Sequence, residues 1–164
     1  MLNFGEAVRQ FYGNYTNPEG RAQRSAFWWV VLYQLIIYAV LAIVIYMAKG
    51  GTEFFKIIES ILNGNLDPDF GDDFYLGPSG MIALFLMLCF ALANFIPDIM
   101  LRIRRFHDLN QSGWLVLAFI VLGVLPGIGT IGDLANFIWF AVRGTNGPNK
   151  YGRDPLGDNT DVFG

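Results

Sequence analysis

The chain has 164 residues, of which 54% are hydrophobic and only 15% are charged, against roughly 25% charged residues in a typical soluble domain. A domain of this size has too much surface to hide so large an apolar fraction from water, so the composition favours an integral membrane protein over a soluble one. The net charge of −3 argues against a nucleic-acid-binding protein, which needs an extended basic surface.

The amino-terminal segment, residues 1–25, is polar, aromatic and charged, without the apolar stretch that forms the centre of a cleavable signal peptide. We expect it to stay in the cytoplasm while the next segment acts as an uncleaved insertion signal. That next segment, residues 26–47, carries no charged side chain. Because about 20 apolar residues are enough for a helix to cross the hydrocarbon core, it is predicted to be the first transmembrane helix.

Residues 48–80 differ in character and are predicted to form an acidic external loop. Apolar side chains recur at helical spacing over residues 52–62, which predicts a short amphipathic helix on the membrane surface. The stretch DPDFGDD, residues 67–73, resembles a calcium-binding loop only loosely, because Pro78 stands where an EF-hand needs a glutamate. The stretch forms either a weak patch for divalent ions or a solvated acidic loop, and we favour the solvated loop.

The second half of the chain contains two more apolar stretches. Residues 81–101 are predicted to form the second transmembrane helix, with Pro97 in its last turns. Residues 102–113 follow as a polar segment, called the motif loop below. Residues 114–142 are apolar but interrupted by a proline-glycine pair, so they form either a hairpin of two short helices or one re-entrant segment. Residues 143–164 are the tail.

The distribution of basic residues predicts the topology, because arginine and lysine are concentrated on cytoplasmic flanks. The amino-terminal segment, the motif loop and the tail have three basic residues each, whereas the external loop has two against six acidic ones. With both termini inside, we favour a hairpin for the last apolar stretch. The sequence thus predicts an all-α, polytopic integral membrane protein with four transmembrane helices, the last two short, plus the amphipathic helix in the first external loop.

Three polar motifs flank these apolar segments in a characteristic order: GRAQRSAFWW (Gly20–Trp29), RRFHDLNQSGW (Arg104–Trp114) and GTNGPNKYGRDP (Gly144–Pro155). Together they resemble the domain-of-unknown-function 805 family of bacterial inner-membrane proteins, although Phe106 stands where the family usually has leucine, and the acidic loop is longer than expected. The resemblance implies a four-helix protein of the bacterial inner membrane with both termini in the cytoplasm. It implies no established activity.

All three motifs are predicted on the cytoplasmic face, where their polar residues would converge. One hypothesis is a polar clasp that locks the helix ends together, with Asp108 pairing with Arg21 or Arg24 or capping the helix before Trp114. The other is a binding site for a small anion, a lipid headgroup or a partner. The candidate residues are Arg21, Arg24, Arg104, Arg105, His107, Asp108, Asn149 and Tyr151, with Asn146 and Asp154 nearby.

Polar residues within the spans form a second candidate group. Asn94, Asp98, Arg102 and Arg105 recur at helical spacing and would share one helix face, with an ion pair between Asp98 and Arg102. These arginines would fix the topology or bind a lipid phosphate.

Asp133 lies in the last apolar stretch, where an ionisable group is a functional candidate by default. Together with Asn136 it would line a path for protons or cations, or it would lie in water at the outer turn of a short hairpin. The shortness of the hairpin favours the second interpretation.

Catalytic chemistry finds little support in the sequence. The single cysteine, Cys89, lies in an apolar run and is expected to be a buried structural thiol, and with a single histidine it makes no zinc site. His107, Asp108 and Ser112 could form a hydrolytic arrangement, but neighbouring residues on a helix point about 100° apart. We expect no catalytic residue, metal or cofactor.

The favoured function is therefore a non-enzymatic membrane module that binds a partner or lipid through the cytoplasmic clasp. Expected partners are the lipid bilayer, an anionic lipid, a second copy of the chain or another membrane protein, and no nucleic acid. Two alternatives remain open. One is a small oligomeric transporter or channel, and the other is a membrane enzyme acting on a lipid-linked substrate.

Overall fold

The structure, a computed structural model, describes residues 2–47, 58–60, 62–64, 77–123 and 136–157. This part of the chain is helical, and its one β-type pairing is an isolated bridge between Asn149 and Gly152. The helices are α1 (Phe4–Gly13), α2 (Arg24–Ile45), α3 (Pro78–Asp108) and α4 (Leu115–Gly123), followed by a short helical segment at 136–141.

Helix α1 lies in the amino-terminal segment, for which no helix was predicted. It begins with a capping box: the Asn3 side chain accepts a hydrogen bond from the Glu6 backbone N–H (2.9 Å), and the Glu6 carboxylate accepts one from the Asn3 N–H (3.0 Å). Ala7 and Phe11, four residues apart, are buried on one face. The spacing of Asn3 and Glu6 is a helix-start pattern that is visible in the sequence.

Helices α2 and α3 contain most of the two predicted transmembrane segments, 26–47 and 81–101. Both are long and apolar enough to cross a bilayer. In the most apolar 18-residue stretch of each helix, only 11% (α2) and 17% (α3) is buried within the protein. The core helix of a soluble protein would be mostly buried, whereas these apolar faces point outwards. Such surfaces require an apolar solvent, and the bilayer provides it.

Helix α3 extends beyond the predicted second span. It continues through Pro97 and ends at Asp108, so the first seven residues of the motif loop, 102–108, are helical. The helix ends where Asn110 adopts a left-handed backbone conformation (φ 57°), which asparagine tolerates better than most residues. The expectation of a buried Cys89 was wrong: the thiol lies on the outward side of α3 and is exposed, because this helix buries little of its apolar surface.

Several predictions fall wholly or partly outside the described residues. Residues 58–60 and 62–63 are helical, but most of the amphipathic helix predicted at 52–62 is not described. The acidic stretch 67–73 and Asp133 also lie outside. In the stretch 114–142, helix α4 and the segment 136–141 are described and the connection is not. The hairpin and the four-helix topology therefore stay predictions.

The chain divides into two compact units. One comprises Met1–Tyr33 and Asn94–Gly164, and the other comprises Gln34–Ala93. The first has an aromatic core centred on Phe106, which is fully buried and lies 4.8 Å from Phe140 between ring centroids. The second contains Ile45 and Ala83 packed together. The core of the first unit fixes the end of α3, where the polar motifs meet.

Candidate functional site

The site is built around Asp108, the last residue of α3. One carboxylate oxygen accepts a hydrogen bond from Arg21 Nε at 3.0 Å, and the other accepts one from Arg105 Nη1. All three side chains are at most 3% exposed. A single buried carboxylate therefore holds two buried guanidinium groups, one from the segment before α2 and one from its own helix.

Most of the remaining donors of these arginines reach backbone carbonyls of the tail and of the segment before it, whereas Arg105 Nε has no hydrogen-bond partner among the described residues. Arg21 donates from Nη1 to the Gly147 carbonyl and from Nη2 to the Thr145 carbonyl, both at 2.6 Å. Arg105 donates from Nη2 to the Phe140 carbonyl at 3.1 Å and to the Val142 carbonyl. The planar fork of arginine suits such divided bonding, and the two side chains tie three separate stretches of chain together.

The backbone of the tail also approaches Asp108 directly. The Asp108 carbonyl accepts hydrogen bonds from Thr145 N (2.9 Å) and Thr145 Oγ1 (3.0 Å). Gly144 lies so close that a Cβ atom there would overlap the Asp108 carboxylate. Only glycine fits this position without displacing the carboxylate.

His107 and Tyr151 form the other side of the cluster. Their rings stack in parallel, with centroids 3.8 Å apart and planes inclined by 7°. His107 Nδ1 lies 3.2 Å from the Gly20 carbonyl, to which it donates when it carries the proton. Asn149 donates from Nδ2 to the His107 carbonyl at 2.9 Å and accepts from Tyr151 N at 2.9 Å. Through these contacts of its ring and its backbone, His107 holds Gly20 and the tail in place.

We call this cluster the polar clasp; it comprises Arg21, Arg105, His107, Asp108, Gly144, Thr145, Asn149 and Tyr151. Six of the eight predicted residues belong to it. The other two lie at its edge: Arg24 is exposed and donates a long bond (3.5 Å) to the Ala141 carbonyl, whereas Arg104 is buried and faces a cavity.

A turn in the tail supports the clasp. Asp154 accepts hydrogen bonds from Leu156 N and Gly147 N, both at 2.9 Å. The bond from Leu156, together with that from Gly147, lowers the pKa of the Asp154 carboxyl below its usual value. The carboxylate is therefore ionised at neutral pH, and it holds Gly147 where Arg21 can reach its carbonyl.

Of the polar residues predicted to share one face of the second span, Arg105 belongs to the polar clasp, whereas Asn94, Asp98 and Arg102 are not part of it. Asn94 is buried and accepts a hydrogen bond from the Tyr12 hydroxyl at 2.9 Å, which joins α3 to α1. Asp98 lines a cavity of about 210 Å³ together with Arg102 and the buried Asn136. The ion pair between Asp98 and Arg102 stays a prediction. Asp133 lies outside the described residues.

Sequence reasoning missed several members of the site. Gly144 and the carbonyls of Gly20 and Gly147 act through backbone contacts, which side-chain patterns do not reveal. Thr145 acts through both its backbone and its hydroxyl group. Gln23, 6% exposed, was also missed. Buried glutamine is uncommon, but nothing in the local sequence distinguishes it from an exposed one.

Comparison with known proteins places these motifs in a wider context. Residues 15–153, which contain the whole clasp, match the family described as protein of unknown function (DUF805). The inner membrane protein YhaI of Escherichia coli K12 is 29% identical over 143 residues, covering 87% of this chain and 88% of that protein. The inner membrane protein YhaH of the same strain is 28% identical over 142 residues, covering 87% and 89%. No solved structure matches the chain.

Proposed function

The chain belongs to the DUF805 family of inner-membrane proteins of unknown function, and from this premise we propose that it is a non-enzymatic membrane module that binds an anionic lipid or a protein partner through its polar clasp. One observation carries the proposal: three motifs far apart in the sequence meet in one buried cluster with more basic than acidic groups. The cluster and its edge contain Arg21, Arg24, Arg104 and Arg105 against Asp108 and Asp154.

We place the clasp on the cytoplasmic side of the membrane. The basic residues that surround it are those that the positive-inside rule assigns to the cytoplasm. In this topology residues 26–47 and 81–101 cross the membrane, the stretch 114–142 forms a short hairpin, and both termini are cytoplasmic. The polar clasp then lies at the level of the lipid headgroups, where arginine contacts phosphate readily.

The bonding of His107 and Asp108 supports binding rather than catalysis. Asp108 accepts hydrogen bonds from two arginines, and His107 holds Gly20 while its ring face is covered by Tyr151. A general base has to reach a substrate proton with its free nitrogen or oxygen. Here the Asp108 carboxylate and His107 Nδ1 make contacts that hold the fold together.

Native mass spectrometry of the protein, extracted in a mild detergent from bacterial membranes, tests this proposal. We expect a monomer or dimer that retains anionic phospholipid through purification. A closed ring of several subunits without retained lipid would contradict the proposal and favour a transporter or channel. Charge reversal at Arg105 is unsuitable as a control, because its buried side chain holds the clasp together.

A further inference from the structure

A cavity of about 340 Å³ lies beside the polar clasp, bordered by α1, the start of α2 and the end of α3. Its wall includes Gln10 of α1, Gln23 before α2, and Arg104 of α3. The wall is held in place by a hydrogen bond from Ala22 N to the Arg104 carbonyl (3.0 Å). The volume lies at the lower end of the range of about 300–1,000 Å³ that is usual for ligand pockets.

Two buried side chains in this wall have unsatisfied atoms. Arg104 is 7% exposed and Gln23 is 6% exposed. Among the described residues, Arg104 Nη2 and Gln23 Oε1 have no hydrogen-bond partner. Within the part of the chain that the structure describes, the guanidinium makes one long hydrogen bond, from Nε to the Met100 carbonyl at 3.4 Å. Buried polar groups are nearly always hydrogen-bonded and buried charges paired, so the Arg104 donor fits a ligand that enters the cavity and accepts a hydrogen bond. Gln23 Oε1 is an acceptor, so Gln23 fits such a ligand with its amide turned to present the N–H₂ group.

The charge around the cavity defines the chemistry of that ligand. Arg21 also lines it, but Asp108 already neutralises part of the Arg21 charge and is shared with Arg105. Within the described residues, Arg104 has no ion-pair partner. The first turn of α2, including Ala26, borders the same space, and the amino end of a helix carries partial positive charge. Every one of these contributions favours an anion.

We propose that this cavity binds a phosphate group, with Arg104 as its charged donor and the Gln23 amide as a second donor. Guanidinium and phosphate match in charge and in geometry. The amide of Gln23 can rotate to present its N–H₂ group. This inference rests on the proposed function and names its ligand class. The phosphate belongs either to an anionic phospholipid headgroup or to free phosphate in the cytoplasm.

The position of Arg104 favours contact with the headgroup layer. It follows the predicted second span, 81–101, by three residues, which amounts to less than one helical turn. A phospholipid in the inner leaflet would present its phosphate at this depth. The matched control residue is Arg9 on α1, which is exposed and carries the same charge.

The test measures lipid binding by the purified full-length protein in detergent. Phosphatidylglycerol and phosphatidylcholine are titrated separately, and binding is counted by native mass spectrometry. The wild type is expected to prefer phosphatidylglycerol. Arg104→Gln is expected to weaken that binding about tenfold or more, since one hydrogen bond to a charged group is lost. Arg9→Gln is expected to bind like the wild type.

Further measurements distinguish a lipid headgroup from free phosphate as the source of the bound phosphate. If millimolar inorganic phosphate displaces the lipid, free phosphate fits the site as well; if it does not, the lipid headgroup is the ligand. Either result upholds the phosphate site. In lipid-free detergent, Arg104→Gln is expected to be at least as stable as the wild type, because it removes an unpaired buried charge. A merely structural Arg104 would instead show lost stability, which would overturn the inference.

The experiment distinguishes failure of the proposed phosphate site from failure of the proposed lipid-binding function. If the wild type prefers phosphatidylglycerol and Arg104→Gln binds it equally well, this cavity is not the site, although lipid binding by the protein stands. If the wild type shows no preference for phosphatidylglycerol and no binding of phosphate, both the site and the lipid-binding function are contradicted.

Discussion

Replacing Asp108 with asparagine is expected to lower the free energy of unfolding by about 3–5 kcal/mol, the usual loss when one member of a buried ion pair is removed. The substitution leaves the size of the side chain almost unchanged. It removes the negative charge that Arg21 and Arg105 share, and both guanidinium groups remain buried. The measurement is reversible unfolding by sodium dodecyl sulfate in mixed micelles, followed by the fluorescence of the four tryptophans.

Glu19→Gln is the matched control for this prediction. Glu19 lies in the same segment as Arg21, and it is exposed, so the same change of charge is expected to alter stability by less than about 0.5 kcal/mol. If Asp108→Asn unfolds at the same detergent fraction as Glu19→Gln, Asp108 does not hold a buried cluster and the description of the clasp is wrong.

Adding one methyl group at Gly144 is expected to be the second most damaging change. In Gly144→Ala the new Cβ would overlap the Asp108 carboxylate. Either that carboxylate moves away from Arg21 and Arg105 or the tail lifts from α3. Overpacking of this kind costs about 1–3 kcal/mol, measured by the same unfolding experiment.

Gly13→Ala provides the control for that substitution, because a Cβ at Gly13 meets nothing within 4 Å. A double variant tests the mechanism. In an Asp108→Ser background the shorter side chain leaves room for the methyl group, so the second substitution is expected to do less damage than it does alone. Strictly additive losses would show that Gly144 acts independently of Asp108.

Much of the fold follows from patterns that one sequence displays. The length and apolar character of residues 26–47 and 81–101 predict the two long helices, because a bilayer requires helices of that length. The extent of α3 was harder to predict. Residues 102–108 are mostly polar, so they look like a loop, yet nothing in them breaks a helix. The core around Phe106 then stabilises this polar helical extension.

The site was predictable as a group of residues but not as a set of contacts. Three basic and polar motifs at the ends of apolar segments indicate a common face. For Asp108 the sequence left three roles open, namely pairing with Arg21, pairing with Arg24 or capping the helix before Trp114. The further partners of Arg21 and Arg105 are mostly backbone carbonyls. Because every residue has a backbone carbonyl, the sequence does not single out those that accept these bonds. Which carbonyls meet which arginine depends on tertiary packing. The cavity beside Arg104 and Gln23 depends on α1, which was not predicted.

The sidedness of the two segments that form the clasp is the most direct test of the account. In a Cys89→Ser background, single cysteines replace Glu19, Ser79 and Lys150, all of which are exposed. A membrane-impermeant maleimide is then applied to spheroplasts and to inverted membrane vesicles. Cysteines at 19 and 150 are expected to react only in inverted vesicles, and the one at 79 only in spheroplasts. If positions 19 and 150 react from opposite sides, their segments cannot meet, and the polar clasp does not exist in the membrane.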